Sequence, residues 1–246
     1  MKKRTAKSPE GLQDFLSTTR PLIVGTVHDA AGVRMVQKVQ DQGAGRGIKS
    51  ALGGIDLLEV RLDAVGTLRL PKTWPLRVIS TARHPGEGGV GKLSVMKRRV
   101  LLEDALEWSS ALDIELRSVR DLSPTVALTH QTGKTLILSH HDFASTPTLR
   151  KLQELSSKAA DQGADLFKVA TFLRDRGDLR RLIEFQTGNA KVPVVAMGMG
   201  PAGRFSRLVL GGFGTPLCYG WLGNPQVPGQ WPALELRALL DRILPS

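Results

Sequence analysis

Eight short runs rich in apolar and β-branched residues recur along the chain, at Leu22–Val27, Asp56–Leu62, Leu76–Ala82, Leu112–Leu116, Thr135–Ser139, Asp165–Ala170, Pro193–Met197 and Pro216–Tyr219. Runs of this length predict strands. Between them, apolar residues fall at helical spacing in Lys92–Ser109, Thr148–Gln162, Arg176–Gln186 and Pro232–Leu244. Ser145-Thr146-Pro147 and Asp175 supply helix starts. Gly66–Pro75 is too short and proline-rich for a long helix. Alternating strands and helices imply a parallel sheet. Eight such units in a chain of 246 residues point to a single closed (β/α)8 TIM barrel. No G-x-G-x-x-G opens the first helix, which counts against an open dinucleotide-binding sheet. Residues 21–246 form the barrel catalytic domain on this reading. Residues 1–20 form an arm, loosely ordered or closing the barrel bottom, and Gly43–Gly54 lengthens the first loop.

Strands two and four carry charge where a barrel interior should be apolar. Alternate residues of a strand face opposite ways. Leu58, Val60 and Leu62 therefore face the helices, and Glu59, Arg61 and Asp63 face the barrel axis. Likewise Ile114 and Leu116 face out, and Asp113, Glu115 and Arg117 face in. Buried charge is costly unless paired. One reading is an ion-pair network that only fixes the barrel. The other is a polar pocket at the C-terminal mouth, where barrel enzymes work.

Further polar groups fit the pocket. Arg83 ends strand three and runs into the glycine-rich His84–Gly89. Ser139 and His141 alternate at the end of strand five. Lys168 sits mid-strand between apolar neighbours, a poor place for a solvated charge. Burial among arginines would leave that amine uncharged and able to attack a ketone. The resulting iminium acidifies the adjacent C–H, and His141 can take the proton and pass one to a leaving hydroxyl. His140 turns to the other face. Cys218 reads as a small buried hydrophobe.

Composition narrows the partners. The net charge is +11, yet the basic residues are scattered apart from Lys2–Arg4 and Lys97–Arg99, and aromatics are only 5%. That lacks the stacking surface of a nucleic-acid binder; a small anionic substrate, or simply a solvated basic surface, fits the charge as well. No apolar stretch reaches the length of a membrane span. The basic N-terminus is not followed by the apolar run of a secretory signal. The single cysteine fits a reducing, cytoplasmic setting, and no cluster has zinc-ligand spacing.

From Pro21 to Leu240 the motifs resemble those of the type I 3-dehydroquinate dehydratases. Glu59-Val60-Arg61-Leu62-Asp63 is similar to the family's E-x-R-x-D strand. Thr81-Ala82-Arg83 with Glu87-Gly88-Gly89 resembles its arginine and E-G-G loop. Ser139-His140-His141-Asp142-Phe143 resembles S-x-H-D-F, and Phe167-Lys168-Val169-Ala170 the Schiff-base strand. Met197-Gly198-Met199-Gly200 with Ser206-Arg207 is similar to M-x-M followed by S-R-L. Val227-Pro228-Gly229-Gln230 resembles a lid ending in P-G-Q. Each motif is weak alone; six in order and spacing are specific.

The resemblance implies a (β/α)8 barrel that dehydrates 3-dehydroquinate to 3-dehydroshikimate in the shikimate pathway. It implies that Lys168 forms the imine, that His141 is general base and acid, and that Glu87 orients His141. It assigns Glu59 and Arg61 to ring hydroxyls, and Arg83, Arg207 and Gln230 to the carboxylate and neighbouring hydroxyls. It implies no metal or cofactor, and it allows a homodimer. Gln226 stands where many relatives carry a small Ser or Ala, and is placed with the substrate-binding lid. His140 replaces a commoner Asn. Pro225–Gln230 is expected to order over the mouth when ligand binds. Alternatives are another Schiff-base barrel, such as a sugar-phosphate aldolase using Met199–Arg204, and a barrel that binds without catalysing.

Overall fold

The computed structural model describes residues 20–41, 51–52, 54–66, 68, 70–71 and 74–244. Eight parallel strands alternate with helices. They are β1 (Leu22–Val27), β2 (Leu57–Arg61), β3 (Arg77–Thr81), β4 (Ala111–Glu115), β5 (Thr135–Asp142), β6 (Leu166–Phe172), β7 (Val194–Met199) and β8 (Leu217–Leu222). The described helices are α1 (Ala30–Asp41), α2 (Leu62–Val65), α3 (Val95–Ala105), α4 (Ser123–Gln131), α5 (Leu149–Asp161), α6 (Arg176–Thr187), α7 (Gly203–Gly212) and α8 (Ala233–Ile243). Hydrogen-bonded strand order is β7-β6-β5-β4-β3-β2-β1-β8. The barrel is therefore closed except for one seam between β7 and β8.

The apolar runs mark each strand, but four strands continue further toward the mouth than expected. β5 extends to Asp142, β6 to Phe172, β7 to Met199 and β8 to Leu222. Those extensions carry mixed residues that break the apolar pattern, and His141 and Met199 among them line the cavity described below. The helix expected over Lys92–Ser109 shortens to Val95–Ala105. Ser94 stops it at the front, its Oγ accepting from Lys97 N at 3.2 Å. α1, α4 and α7 escape the periodicity argument. α4 is rich in threonine and α7 contains glycine at both ends, which weakens their intrinsic helical preference. Arg117 is exposed in a short 3₁₀ turn after β4 rather than inside the barrel. The strand ends at Glu115, so alternation no longer applies. The N-terminal arm and most of Gly43–Gly54 lie outside the described residues. Arg20, at the arm's end, donates to Asp241 at 3.1 Å.

The larger core lies between strands and helices, and a smaller one fills the barrel interior and reaches the mouth at Ala170, Met197, Met199 and Tyr219. In a (β/α)8 barrel, alternate strands contribute four side chains to each interior layer. Leu57, Ala111, Leu166 and Leu217 come from the even strands, and Val24, Ile79, Ile137 and Val195 from the odd ones; all are buried. Two residues further along the even strands stand Glu59, Asp113, Lys168 and Tyr219, also buried. On three of the four even strands, β2, β4 and β6, the interior changes from hydrocarbon to charge in one step.

Candidate functional site

A cavity of about 230 Å³ opens at the C-terminal mouth, above that charged layer. Lys168 Nζ lies 2.8 Å from Asp113 Oδ2 and 3.3 Å from Glu59 Oε1. Its nearest charged neighbours are thus carboxylates, not the arginines expected from sequence. The odd-strand residues just above bind the acids in place. Thr26 Oγ1 donates to Glu59 at 2.8 Å, Thr81 Oγ1 to Glu59 at 3.0 Å, and Ser139 Oγ to Asp113 at 2.6 Å.

Arg83 completes the network. It donates to Asp113 at 2.9 and 3.1 Å and to Glu115 at 3.1 Å. Arg98, reaching in from α3, pairs with the other Glu115 oxygen and donates to Ala82 O at 2.7 Å. Three cations (Lys168, Arg83, Arg98) thereby meet three carboxylates (Glu59, Asp113, Glu115). Burial alone would raise the Asp113 and Glu59 carboxyls. Arg83 and Lys168 outweigh it at Asp113, Lys168 and Arg61 at Glu59, and both are held below the usual carboxylate range.

Glu87 sits on the 3₁₀ turn after β3. Its Oε2 accepts from His141 N at 2.9 Å and lies 3.1 Å from His141 Nδ1. The loop folds back so tightly that a β-carbon at Gly89 would collide with the Arg83 carbonyl. Burial, then the Glu115 charge, pushes Glu87 up to about 7. Burial, then Arg83 and Lys168, holds His141 well below the ordinary imidazole value. His141 is therefore a neutral imidazole facing the cavity. A Glu87 carboxylate accepting Nδ1–H leaves the lone pair on Nε2, the tautomer being assigned from these roles. His140 does not line the cavity.

Arg61 is held by both Asp63 oxygens, at 2.9 and 3.0 Å, and its Nη1 donates to Gln226 Oε1 at 2.8 Å. Arg207 differs from the other arginines of the cavity. Its Nη1 donates to Gly198 O at 3.0 Å, Gly203 O at 3.1 Å and Gly229 O, while its Nε is buried without a partner. No carboxylate pairs with it among the described residues, and burial pushes it down to about 10. A bound anion would supply the missing countercharge.

The segment after β8 lies over the mouth. Gly223 and Gly229 adopt φ of 93° and 87°, conformations open chiefly to glycine. Gln230 Oε1 accepts from Gln226 N at 3.0 Å. The same oxygen takes Val227 N at 3.4 Å.

All nine residues given site roles from sequence, Glu59, Arg61, Arg83, Glu87, His141, Lys168, Arg207, Gln226 and Gln230, line this one cavity, whereas Asp113, Glu115 and Ser139, also read as pocket groups, are not in its lining. Sequence reasoning missed Thr26 and Tyr219 in its wall and Arg98 behind it. Counting interior layers across alternate strands would have found Tyr219. Arg98 stands in a basic run that reads as solvated surface. Among the described residues there is no cluster fit to hold a metal ion, and no helix long and apolar enough to cross a membrane.

The chain resembles known proteins in sequence and fold. The family model of the type I 3-dehydroquinases matches residues 40–244. A 3-dehydroquinate dehydratase of Methanothermobacter thermautotrophicus is 31% identical over 211 residues, covering 83% of this chain and 91% of the relative. One from Methanosarcina barkeri is 32% identical over 218 residues, covering 79% and 88%. Among solved structures, a 3-dehydroquinate dehydratase from Geobacillus kaustophilus superposes with a TM-score of 0.77 at 22% identity, covering 96% of each chain, and supports the fold. With a matched family model spanning most of the barrel and relatives above 30% identity, the chain belongs to the type I 3-dehydroquinase family.

Proposed function

We propose that this chain converts 3-dehydroquinate to 3-dehydroshikimate and water through an imine on Lys168. The observation that carries the reading is the convergence of Lys168 and the Glu87–His141 pair on one cavity in a member of this family. Nζ loses a proton and adds to the ring ketone, and water departs to leave a protonated imine. The iminium draws electrons from the neighbouring carbon. His141 removes a proton there, giving an enamine. The enamine expels the β-hydroxyl, which leaves as water with the proton His141 holds. Hydrolysis of the conjugated imine returns Lys168 and the enone product. No metal or cofactor enters the scheme, because the iminium is the electron sink.

Arg207 takes the substrate carboxylate, supported by its lack of an acidic partner among the described residues. Arg83 is already forked onto Asp113 and Glu115, so its role is to hold the acidic wall and reach a hydroxyl. Glu59, released by Lys168 when the imine forms, and Arg61 serve ring hydroxyls. Gln226 and Gln230 close the top. A sugar-phosphate aldolase fits less well, since Arg204 is spent on the Trp231 ring at 5.0 Å and its Nε on Gln230 O at 3.3 Å. A reducing cytoplasm suits the lone cysteine, and a homodimer remains a proposal that light scattering tests.

Mixing the protein with 3-dehydroquinate should generate the ultraviolet absorption of a conjugated enone. Borohydride added during turnover should fix ligand mass on Lys168. Attachment at another lysine, with turnover intact, would overturn the imine assignment.

A further inference from the structure

Tyr219 is the fourth member of the charged layer, and the scheme above gives it no task. Its ring is 4% exposed and lines the cavity. Lys168 Nζ sits over the ring face, 4.1 Å from the centroid. Its hydroxyl is buried and makes no hydrogen bond among the described residues. An aliphatic side chain, like Leu217 two residues below, would fill the barrel without burying an unpaired hydroxyl. Packing alone therefore gives no reason for this residue. A ring face carries the negative end of a quadrupole and attracts a cation, most strongly away from water.

We propose that Tyr219 is a further catalytic residue, whose ring face stabilises positive charge on the Lys168 nitrogen through the imine cycle. This rests on the Schiff-base reading above. An ammonium has three N–H groups and can serve Asp113 and Glu59 together, as the distances of 2.8 and 3.3 Å show. Ammonium plus ketone gives protonated imine plus water, so two of the three N–H protons leave with the ketone oxygen. One N–H remains, enough for Asp113 or Glu59 but not both. Half of the hydrogen bonding to the cation is lost while its charge persists. The ring contact needs no N–H and survives the change. A further carboxylate in its place would attract the charge too, but would compete for the proton that keeps the imine electron-withdrawing. An aromatic face stabilises the cation without acting as a base.

The test keeps the shape of the ring and changes its quadrupole. Tyr219→Phe is the reference, and phenylalanines bearing one, two and three ring fluorines are then placed at the same position by nonsense suppression. Two readouts are taken with 3-dehydroquinate, the fraction of protein trapped by borohydride and kcat/KM. Both should fall stepwise with each fluorine, by roughly tenfold across the series. Tyr219→Leu should lie near the most fluorinated variant, and the series decides the matter even if the leucine variant does not fold. A flat series with an active Tyr219→Phe protein would show the ring to be filler. Failure of the unmodified chain to trap any ligand mass on Lys168 is a different result, and removes the Schiff-base reading along with the role for the ring.

Discussion

The lower and upper halves of the barrel interior are built on the same strands and differ by two residues. Below, Leu57, Ala111, Leu166 and Leu217 pack as hydrocarbon. Above, the same four strands present Glu59, Asp113, Lys168 and Tyr219. The lower layers exclude water and fix the strands. The upper layer uses that rigid floor to hold charges that would otherwise be expensive to bury. Its cost is offset within the network, where Lys168 lies between two acids and Arg83 bridges Asp113 and Glu115. Arg98 reaches in from outside the barrel to complete the pairing at Glu115. An apolar floor and the layer proposed for the chemistry are thus separated by one step of strand alternation.

The sharpest way to break the comparison is to change one residue in each half of β6. Lys168→Ala should remove nearly all turnover and all borohydride trapping while the circular dichroism spectrum stays native. Leu166→Ala should cost about 2–5 kcal/mol of stability, the usual range for a buried leucine, and leave kcat at low temperature within about twofold. Denaturant melts and steady-state rates on both variants check this. A Lys168→Ala protein that turns over normally would show the charged layer to be structural.

The next contrast lies between neighbours on β5. His141 faces the cavity and contacts Glu87, whereas His140 does not line it. His141→Ala should lower kcat by roughly 10²–10⁴, the worth of a positioned acid–base group. His140→Asn should leave kcat within about twofold. Equal losses in the two variants would mean that the histidines do not differ as their faces require.

Strand parity, and with it most of the mouth, was legible because a barrel strand has two faces and the charged residues kept to one. Glu59 and Arg61 alternate with Leu58 and Val60, and both pairs lie as the alternation demands. Arg117 broke the rule because the backbone leaves the strand at Glu115. The environment of Lys168 was misjudged for a different reason. Which charge approaches which is set by layers drawn from alternate strands, and these residues are far apart in sequence. Arg98 was hidden among basic neighbours. Lys97 is exposed and Arg98 is 1% exposed, a difference that only the docking angle of α3 decides. Tyr219 looked like one more apolar strand residue, since its partner across the barrel could not be seen from β8 alone.

A smaller effect concerns pH and the Glu87–His141 pair. Glu87 is pushed up to about 7, and only its carboxylate can accept Nδ1–H and leave Nε2 free as the base. kcat/KM should therefore fall as pH drops through about 7 and level off above it. The stability contribution runs the other way. A carboxyl whose folded value lies above its ordinary 4.5 binds more protons when folded, so its contribution declines as pH rises from about 4.5 to 7. Glu87→Gln should remove the limb near 7 in the rate profile and flatten that part of the stability curve. Persistence of the limb in the variant would assign it to another group.

The smallest effects are expected at the lid, which joins the charged half to solvent. Gln230 Oε1 is occupied by Gln226 N at 3.0 Å and Val227 N at 3.4 Å. With the oxygen engaged, its Nε2 is the group left to donate to a ligand in the cavity that the residue lines. Gln226 in turn ties the segment to β2, through the 2.8 Å bond from Arg61, itself forked onto Asp63. On the proposed reading the two glutamines divide the work, Gln230 donating to the ligand and Gln226 fastening the segment to Arg61. Gln230→Ala should raise KM and lower kcat together, since its contact is made both in binding and with the reacting ring held down, while borohydride trapping survives. Gln226→Ala loses a single hydrogen bond, the one donated by the Arg61 guanidinium. KM should rise by about three- to tenfold, with kcat changed less. Hydrogen exchange gives an independent measure. Amides of 225–230 should exchange faster in Gln226→Ala than in the unmodified chain, and slow in both when product is added. If the Gln226→Ala lid exchanges no faster, the bond to Arg61 does not hold it, and the segment is fixed instead by its backbone packing, where Gly229 O meets Arg207.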